Sequence, residues 1–280
     1  MQLDYFSPTP AMRDLFTVHF AMDGLQDWLV ERVPALVANV HIRLSGATRY
    51  RFQDGRVQDA PAISLLGPTS ASFEMVVAPG TRLLGIGMLP LGWRRCMGEG
   101  AHRFADMLVP GDALWPAALL ERTLDQLAAA RLDGGHVAIV EALLASRLRS
   151  VSCTDLTRIR AIDSWIEGPS SPGIEHLANM LGLGARQTAR LALDLHGAAP
   201  KLVAMKYRAL RCASQLTSGC LDDVAALTDR YADQSHLTRD FRRFVGWTPA
   251  AFVRDRRALA RVTLKGRLDA GLSRPMALWS

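Results

Sequence analysis

Residues 231–249 read YADQSHLTRDFRRFVGWTP. Placed on a helix starting near Ser235, Leu237, Phe241 and Phe244 recur at i, i+4 and i+7 and form one apolar stripe. Ser235, Thr238, Arg239 and Arg242 then fall on the other side, a face rich in hydrogen-bond donors and almost free of carboxylates. Such a face suits phosphates and the edges of guanine. The plain alternative is a charged face that is simply solvated, and this segment alone does not separate the two.

The balance moves 49 residues upstream, where residues 184–200 read GARQTARLALDLHGAAP. Sliding that stretch onto 233–249 superimposes Arg190 on Arg239, Gly197 on Gly246 and Pro200 on Pro249. A repeat of this kind means a duplicated unit. Each copy predicts a helix, then a Gly free to take positive φ, then a Pro suited to opening the next helix. Ahead of the first copy, GIEHLANMLGL places Ile174, Leu177, Ala178 and Leu181 at helical spacing and stops at Gly182. Ahead of the second, LDDVAALTDRY places Leu221, Val224, Ala225 and Leu227 likewise. Short helix, tight turn and second helix is the grammar of a helix-turn-helix. The pattern predicts two such units. Between them, residues 200–216 start with Pro and predict one continuous helix of about 16 residues, roughly 24 Å long.

At this point the residues resemble the AraC/XylS-type bacterial transcription regulators. The stretch from Tyr231 to Phe252 is similar to that family's signature, and the first unit follows its pattern through Leu177, Ala178, Leu181, Gly182, Leu183, Arg186, Arg190, Gly197 and Pro200. The resemblance covers roughly residues 152–263 and implies a double helix-turn-helix that binds double-stranded DNA. By resemblance and by face, the DNA-binding residues expected are Arg186, Gln187 and Arg190 in the first unit. In the second they are Gln234, Ser235, His236, Thr238, Arg239 and Arg242. The family's commoner habit is activation by contacting RNA polymerase, with a small-molecule effector sensed, or a homodimer formed, through the N-terminal region. Two departures stand out. Arg230 occupies the second turn where the pattern has Gly, with ALTDRY one residue longer than usual. In the first unit Ala192 replaces a core Phe, while Leu193 and Asp194 fill positions that are commonly basic.

Charge follows the same partition. Residues 151–265 hold 17 Lys plus Arg against 11 Asp plus Glu, whereas residues 1–150 hold 14 against 15. A basic half beside a near-neutral half is the footprint of a nucleic-acid module attached to something else. Arg heavily outnumbers Lys there, and Arg forks onto guanine or phosphate where Lys is a point charge.

At 280 residues and 49% hydrophobic content the chain is long enough for two domains. No apolar run approaches the roughly 18 residues of a membrane span, so no membrane partner is expected. MQLDYFSPTPAMRD has neither a basic n-region nor an apolar h-region, which points to the cytoplasm. Cys96, Cys153, Cys212 and Cys220 lack zinc spacing and read as bystander thiols in a reducing compartment. That spacing also disfavours an alkylation-repair methyltransferase, which holds zinc with four N-terminal cysteines. His19, His41, His102 and His136 stand isolated, without H-x-H or E-x-x-H, so no metal is expected. No G-x-S-x-G, phosphate-cradling loop or other catalytic constellation is present, so the chain reads as a non-enzyme without cofactors. A helical docking scaffold remains the other alternative, since it would need no basic recognition face.

Residues 1–150 change character along their length. VHIRLSGATRYRF (40–52) alternates apolar and polar residues, and Asp54-Gly55 falls where a two-residue hairpin turn would sit. Gly67-Pro68 and Pro79-Gly80 read as turns around Phe73, Met75 and Val77, followed by a buried-strand run from Leu83 to Leu89. Four to six strands are expected. Beyond Pro116 the period predicts a helix through Leu119, Leu120, Leu124 and Leu127, closed by Gly134-Gly135, and another through Val137, Val140, Leu144 and Leu148. Trp28, Trp93 and Trp115 are either pocket lining or core, with core the commoner use. The fold class expected is α+β: a β-rich sensor or dimerisation domain with trailing helices (1–150), an all-α double helix-turn-helix domain (151–265) and a tail (266–280).

Overall fold

The computed structural model describes residues 1–168, 173–218, 231, 234–255, 259–270 and 276. The N-terminal half is built from ten strands: β1 (Gln2–Phe6), β2 (Phe16–Asp23), β3 (Leu29–Val33), β4 (Ala38–Ser45), β5 (Thr48–Arg51), β6 (Val57–Asp59), β7 (Ile63–Leu66), β8 (Phe73–Val77), β9 (Arg82–Met88) and β10 (Leu108–Pro110). They form a six-stranded antiparallel sheet in the order β1-β2-β9-β4-β7-β10 and a four-stranded one in the order β3-β8-β5-β6. Side chains of both sheets, among them Met22, Leu83, Tyr50, Phe73 and Val77, meet in one buried cluster. Alternation is visible where one face is wet, as in β5 and β8. β7 and β9 are buried on nearly every residue because they lie inside the larger sheet. Gly85 in β9 admits the ring of Phe20, since a Cβ there would sit 2.2 Å from Phe20 Cε1.

Four to six strands were expected and ten are present. β1, β2 and β3 precede the segment whose alternation was legible, and β2 is nearly all buried. The Asp54-Gly55 hairpin forms with a longer loop than two residues: Phe52 N–H donates to Arg56 O (2.9 Å), and Gly55 turns at φ +87°. Helices α1 (Pro90–Cys96), α2 (Ala117–Ala129) and α3 (Gly135–Ala145) cover the larger sheet. Gly134-Gly135 opens α3 instead of closing α2, which leaves helical geometry earlier, at Ala130. Trp93 and Trp115 are core residues, each with its indole N–H satisfied by a backbone carbonyl, Glu99 O and Leu143 O. Trp28 is 67% exposed.

Among its described residues the C-terminal half has helices α4 (Cys153–Glu167), α5 (Ile174–Leu181), α6 (Ala185–His196), α7 (Pro200–Ser218), α8 (Gln234–Val245), α9 (Pro249–Arg254) and α10 (Leu259–Asp269) and no strand. Ile159, Trp165, Leu177, Leu195, Tyr207, Leu237, Phe241 and Phe252 share its core. α7 runs unbroken, a rod of roughly 28 Å at 1.5 Å per residue. The helix expected over Leu221–Leu227 and the turn at Arg230 lie outside the described residues, as does Cys220. Among the described residues no helix is long and apolar enough to cross a membrane.

Candidate nucleic-acid interface

The duplication seen as a repeat is reproduced in local geometry. α5 stops because Gly182 enters the left-handed region at φ +61°, with Leu183 N–H returning to Ala178 O at 3.1 Å. Three residues later α6 begins, and Gly184 N–H donates to Gln187 Oε1 at 3.3 Å to close its first turn. α6 ends at Gly197 (φ +73°) and α8 at Gly246 (φ +93°). Pro200 opens α7, and Pro249 opens α9 behind the Thr248 cap, whose hydroxyl accepts from Ala251 N–H at 3.1 Å.

α8 has two faces with opposite chemistry. Leu237, Phe241 and Phe244 are fully buried, and Phe241 meets Phe252 edge-on at 5.5 Å between ring centroids. Gln234, Ser235, His236, Arg239 and Arg242 are exposed, and Thr238 is half-buried. The helix's only acid, Asp240, points inward and pairs with Arg208 at 3.2 Å. The outward face therefore presents donors with no carboxylate among them. On α6, Arg186, Gln187 and Arg190 are likewise exposed, while Thr188, Ala192 and Leu195 are buried. The structure thus sorts the nine expected residues onto two helix surfaces, three on α6 and six on α8. Asp194, the acid that departs from the family pattern, lies 3.5 Å from His102 Nδ1 of the N-terminal half.

Sequence reasoning missed that the N-terminal half grips both of these helices. Ala35 N–H donates to Phe244 O and Ser72 N–H to Arg243 O, each at 2.7 Å, and Arg32 Nη1 donates to Gly246 O at 3.1 Å. All three act on the C-terminal turn of α8, where unsatisfied carbonyls accumulate. Lys206 of α7 is buried and donates to Leu36 O (2.5 Å) and Thr69 O (2.9 Å). Burial pushes its pKa down to about 7, opposed by the charge of Asp106. Beside it, burial and then the Lys206 charge hold His196 down at about 3, so that imidazole is neutral. No local pattern signals these contacts, because the partners lie more than a hundred residues apart.

Two further features were not legible. A cavity of about 70 Å³ lies between the sheets and α10, lined by Tyr5, Phe20, Met22, Phe73 and Leu259 with Arg32, His41, Thr263 and Arg267 among its polar elements. His41 donates to or accepts from Tyr50 Oη at 2.7 Å, and burial lowers its pKa to about 4. His19 and His136, isolated in sequence, come together with Glu141. His19 Nε2 lies 3.4 Å from Glu141 Oε1, and that carboxylate also accepts from the Thr9 amide and hydroxyl. Burial drives His19 down to about 4 against the pull of Glu141. Among the described residues no group of three or more His, Cys, Asp or Glu has a metal-holding arrangement.

Two short helices about a three-residue turn, a donor-bearing second helix and its repetition along the chain define a helix-turn-helix protein. Residues 177–255 match the helix-turn-helix domain family, and the chain carries this domain in its AraC-type form. Similar solved structures include ToxT from Vibrio cholerae, 12% identical over 84% of this chain and 96% of that one, with a TM-score of 0.47. Wild-type ToxT from Vibrio cholerae strain SCE256 bound to unsaturated fatty acid is 12% identical over 85% and 95%, also with a TM-score of 0.47. The AraC-like transcriptional activator CuxR is 14% identical over 68% and 79%, with a TM-score of 0.27. No curated protein sequence matches the chain.

Proposed function

We propose that this chain is a sequence-specific DNA-binding transcription regulator, with residues 151–265 reading duplex DNA and residues 1–150 sensing a small molecule. The observation that carries the reading is α8, where five exposed donors and no outward carboxylate stand over three buried apolar anchors. A solvated surface helix has no need to turn its one acid inward. Arg239 and Arg242 supply forks for guanine or phosphate, Gln234 and Ser235 supply neutral donors near the helix N-terminus, and α6 repeats the arrangement with Arg186, Gln187 and Arg190. A salt titration of the full chain against a duplex from the region upstream of its own gene tests it. A DNA reader loses affinity steeply as salt rises, through counterion release. A docking scaffold has no binding to lose, and that result would overturn the reading.

A specific observation favours effector sensing as well. The cavity between the sheets and α10 has an apolar lining with a buried guanidinium, that of Arg267, at its edge. That lining suits an apolar molecule carrying a hydrogen-bond-accepting group. Arg32 lines this cavity and also lines the groove along α8, while its Nη1 holds Gly246 O. A ligand that moves the Arg32 stem therefore changes how the C-terminal turn of α8 is held. Activation through RNA polymerase is the family's commoner mode, and we assign it here on that resemblance. Screening small apolar acids by thermal shift, then measuring DNA affinity with each hit, tests the sensing half.

A further inference from the structure

The groove along α8 has two walls from two halves of the chain. One is α8 itself, with Gln234, Ser235, Thr238, Arg239 and Arg242; the other is Arg32 of β3 and Gln53 of the loop after β5. The groove encloses about 1120 Å³ and no acid lines it. The second wall is fixed to the first by the Ala35, Ser72 and Arg32 hydrogen bonds to the last turn of α8. These bonds hold the C-terminal end of the helix, while Gln234, Ser235 and His236 at its N-terminal end are exposed. A recognition helix seated in a major groove is flanked by the phosphates of both strands. A wall fixed beside it, bearing the exposed Gln53 amide and the Arg32 guanidinium, would face one of those rows if α8 were seated so.

We propose that the N-terminal domain itself contacts the duplex, with Gln53 and Arg32 binding backbone phosphates beside the groove that receives α8. This rests on α8 being a DNA-reading helix. It makes the sensing half part of the DNA interface, so that a change in its position changes affinity directly. The corresponding groove at α6 also has an N-terminal wall, Arg94 of α1, but there Arg94 pairs with Asp155 at 3.1 Å and Asp194 lines the same groove. The contribution therefore falls on the α8 side.

The test uses the full chain and anisotropy titrations against one promoter duplex at 50 and 200 mM salt. Gln53 is exposed in the loop after β5, so Gln53→Lys and Gln53→Glu should leave the melting temperature unchanged. One added phosphate contact steepens the salt slope by about 0.9, so Gln53→Lys should gain roughly threefold more than the parent when salt drops from 200 to 50 mM. Gln53→Glu should bind several-fold more weakly at the lower salt. Gln126→Lys, on exposed α2 surface lining neither groove, controls for net charge and should leave the slope alone. Equal slopes for the parent, Gln53→Lys and Gln53→Glu would overturn the proposal, as would a Gln126→Lys slope matching that of Gln53→Lys. If the parent binds no duplex, the DNA-reading assignment of α8 fails instead. If the parent binds and only Arg239→Ala weakens it, α8 reads DNA and the N-terminal wall does not.

Discussion

Lys206→Met probes the joint between the two halves, and its signature is a pH dependence. Desolvation lowers the ammonium pKa from 10.5 to about 7 in the folded chain. Between those values the unfolded chain binds a proton that the folded chain does not, so this site disfavours folding at low pH. The penalty is relieved as pH rises through that window. The slope approaches about 1.4 kcal/mol per pH unit, and from pH 6.5 to 9 the relief amounts to about 2.5 kcal/mol. Methionine cannot titrate. It also deprives Leu36 O and Thr69 O of their donor, a pH-independent cost of about 1–3 kcal/mol each. Other titrating groups act on both proteins alike. Thermal melts of the parent and Lys206→Met at pH 6.5, 7.5, 8.25 and 9 should therefore show a stability difference moving in favour of the parent, by roughly 5–10 °C over the range. Parallel curves would refute the reasoning, since they would mean that Lys206 keeps its ordinary pKa and is not a buried, desolvated ammonium.

Phe241→Ala empties a fully buried site and loses its edge-on partner Phe252, so chemical denaturation should report a loss of about 3–5 kcal/mol, with DNA binding falling as the domain loosens. Arg239→Ala should do the reverse, weakening promoter binding by about 1–3 kcal/mol in anisotropy titrations while leaving the melt unchanged. Gly182→Ala and Gly197→Ala both place a side chain at positive φ, which costs about 1–2 kcal/mol. At Gly182 nothing lies within 4 Å of the new Cβ, whereas at Gly197 it would sit 2.7 Å from Pro68 Cγ of the N-terminal half, so melts should show the second variant clearly less stable. Thr248→Ala removes the α9 cap and should cost about 1 kcal/mol in the same assay.

The helix-turn-helix half was legible because its instructions are local. The spacing of Leu237, Phe241 and Phe244 sets which face of α8 is buried, and that assigns the exposed face by elimination. Gly182, Gly197 and Gly246 take positive φ where the pattern placed helix ends. The β-rich half was read less fully. β2 is buried almost throughout and offers no alternation to count, and the strands ahead of residue 38 were missed. Gly134 was assigned to the end of one helix and serves the start of the next, since a glycine suits either role.

From periodicity and punctuation alone, the sequence determined the first helix-turn-helix unit, the long connector, the second helix of the second unit, the donor-bearing faces of α6 and α8 and the existence of a β-rich partner half. Only the tertiary structure decided that this partner holds α8 by its last turn, buries Lys206 at the joint and sets Gln53 and Arg32 in one groove with the donor-bearing face of α8. Helix faces follow from residues three and four apart. A wall shared by residues about 200 positions apart depends on how two cores pack, and no short-range pattern encodes that.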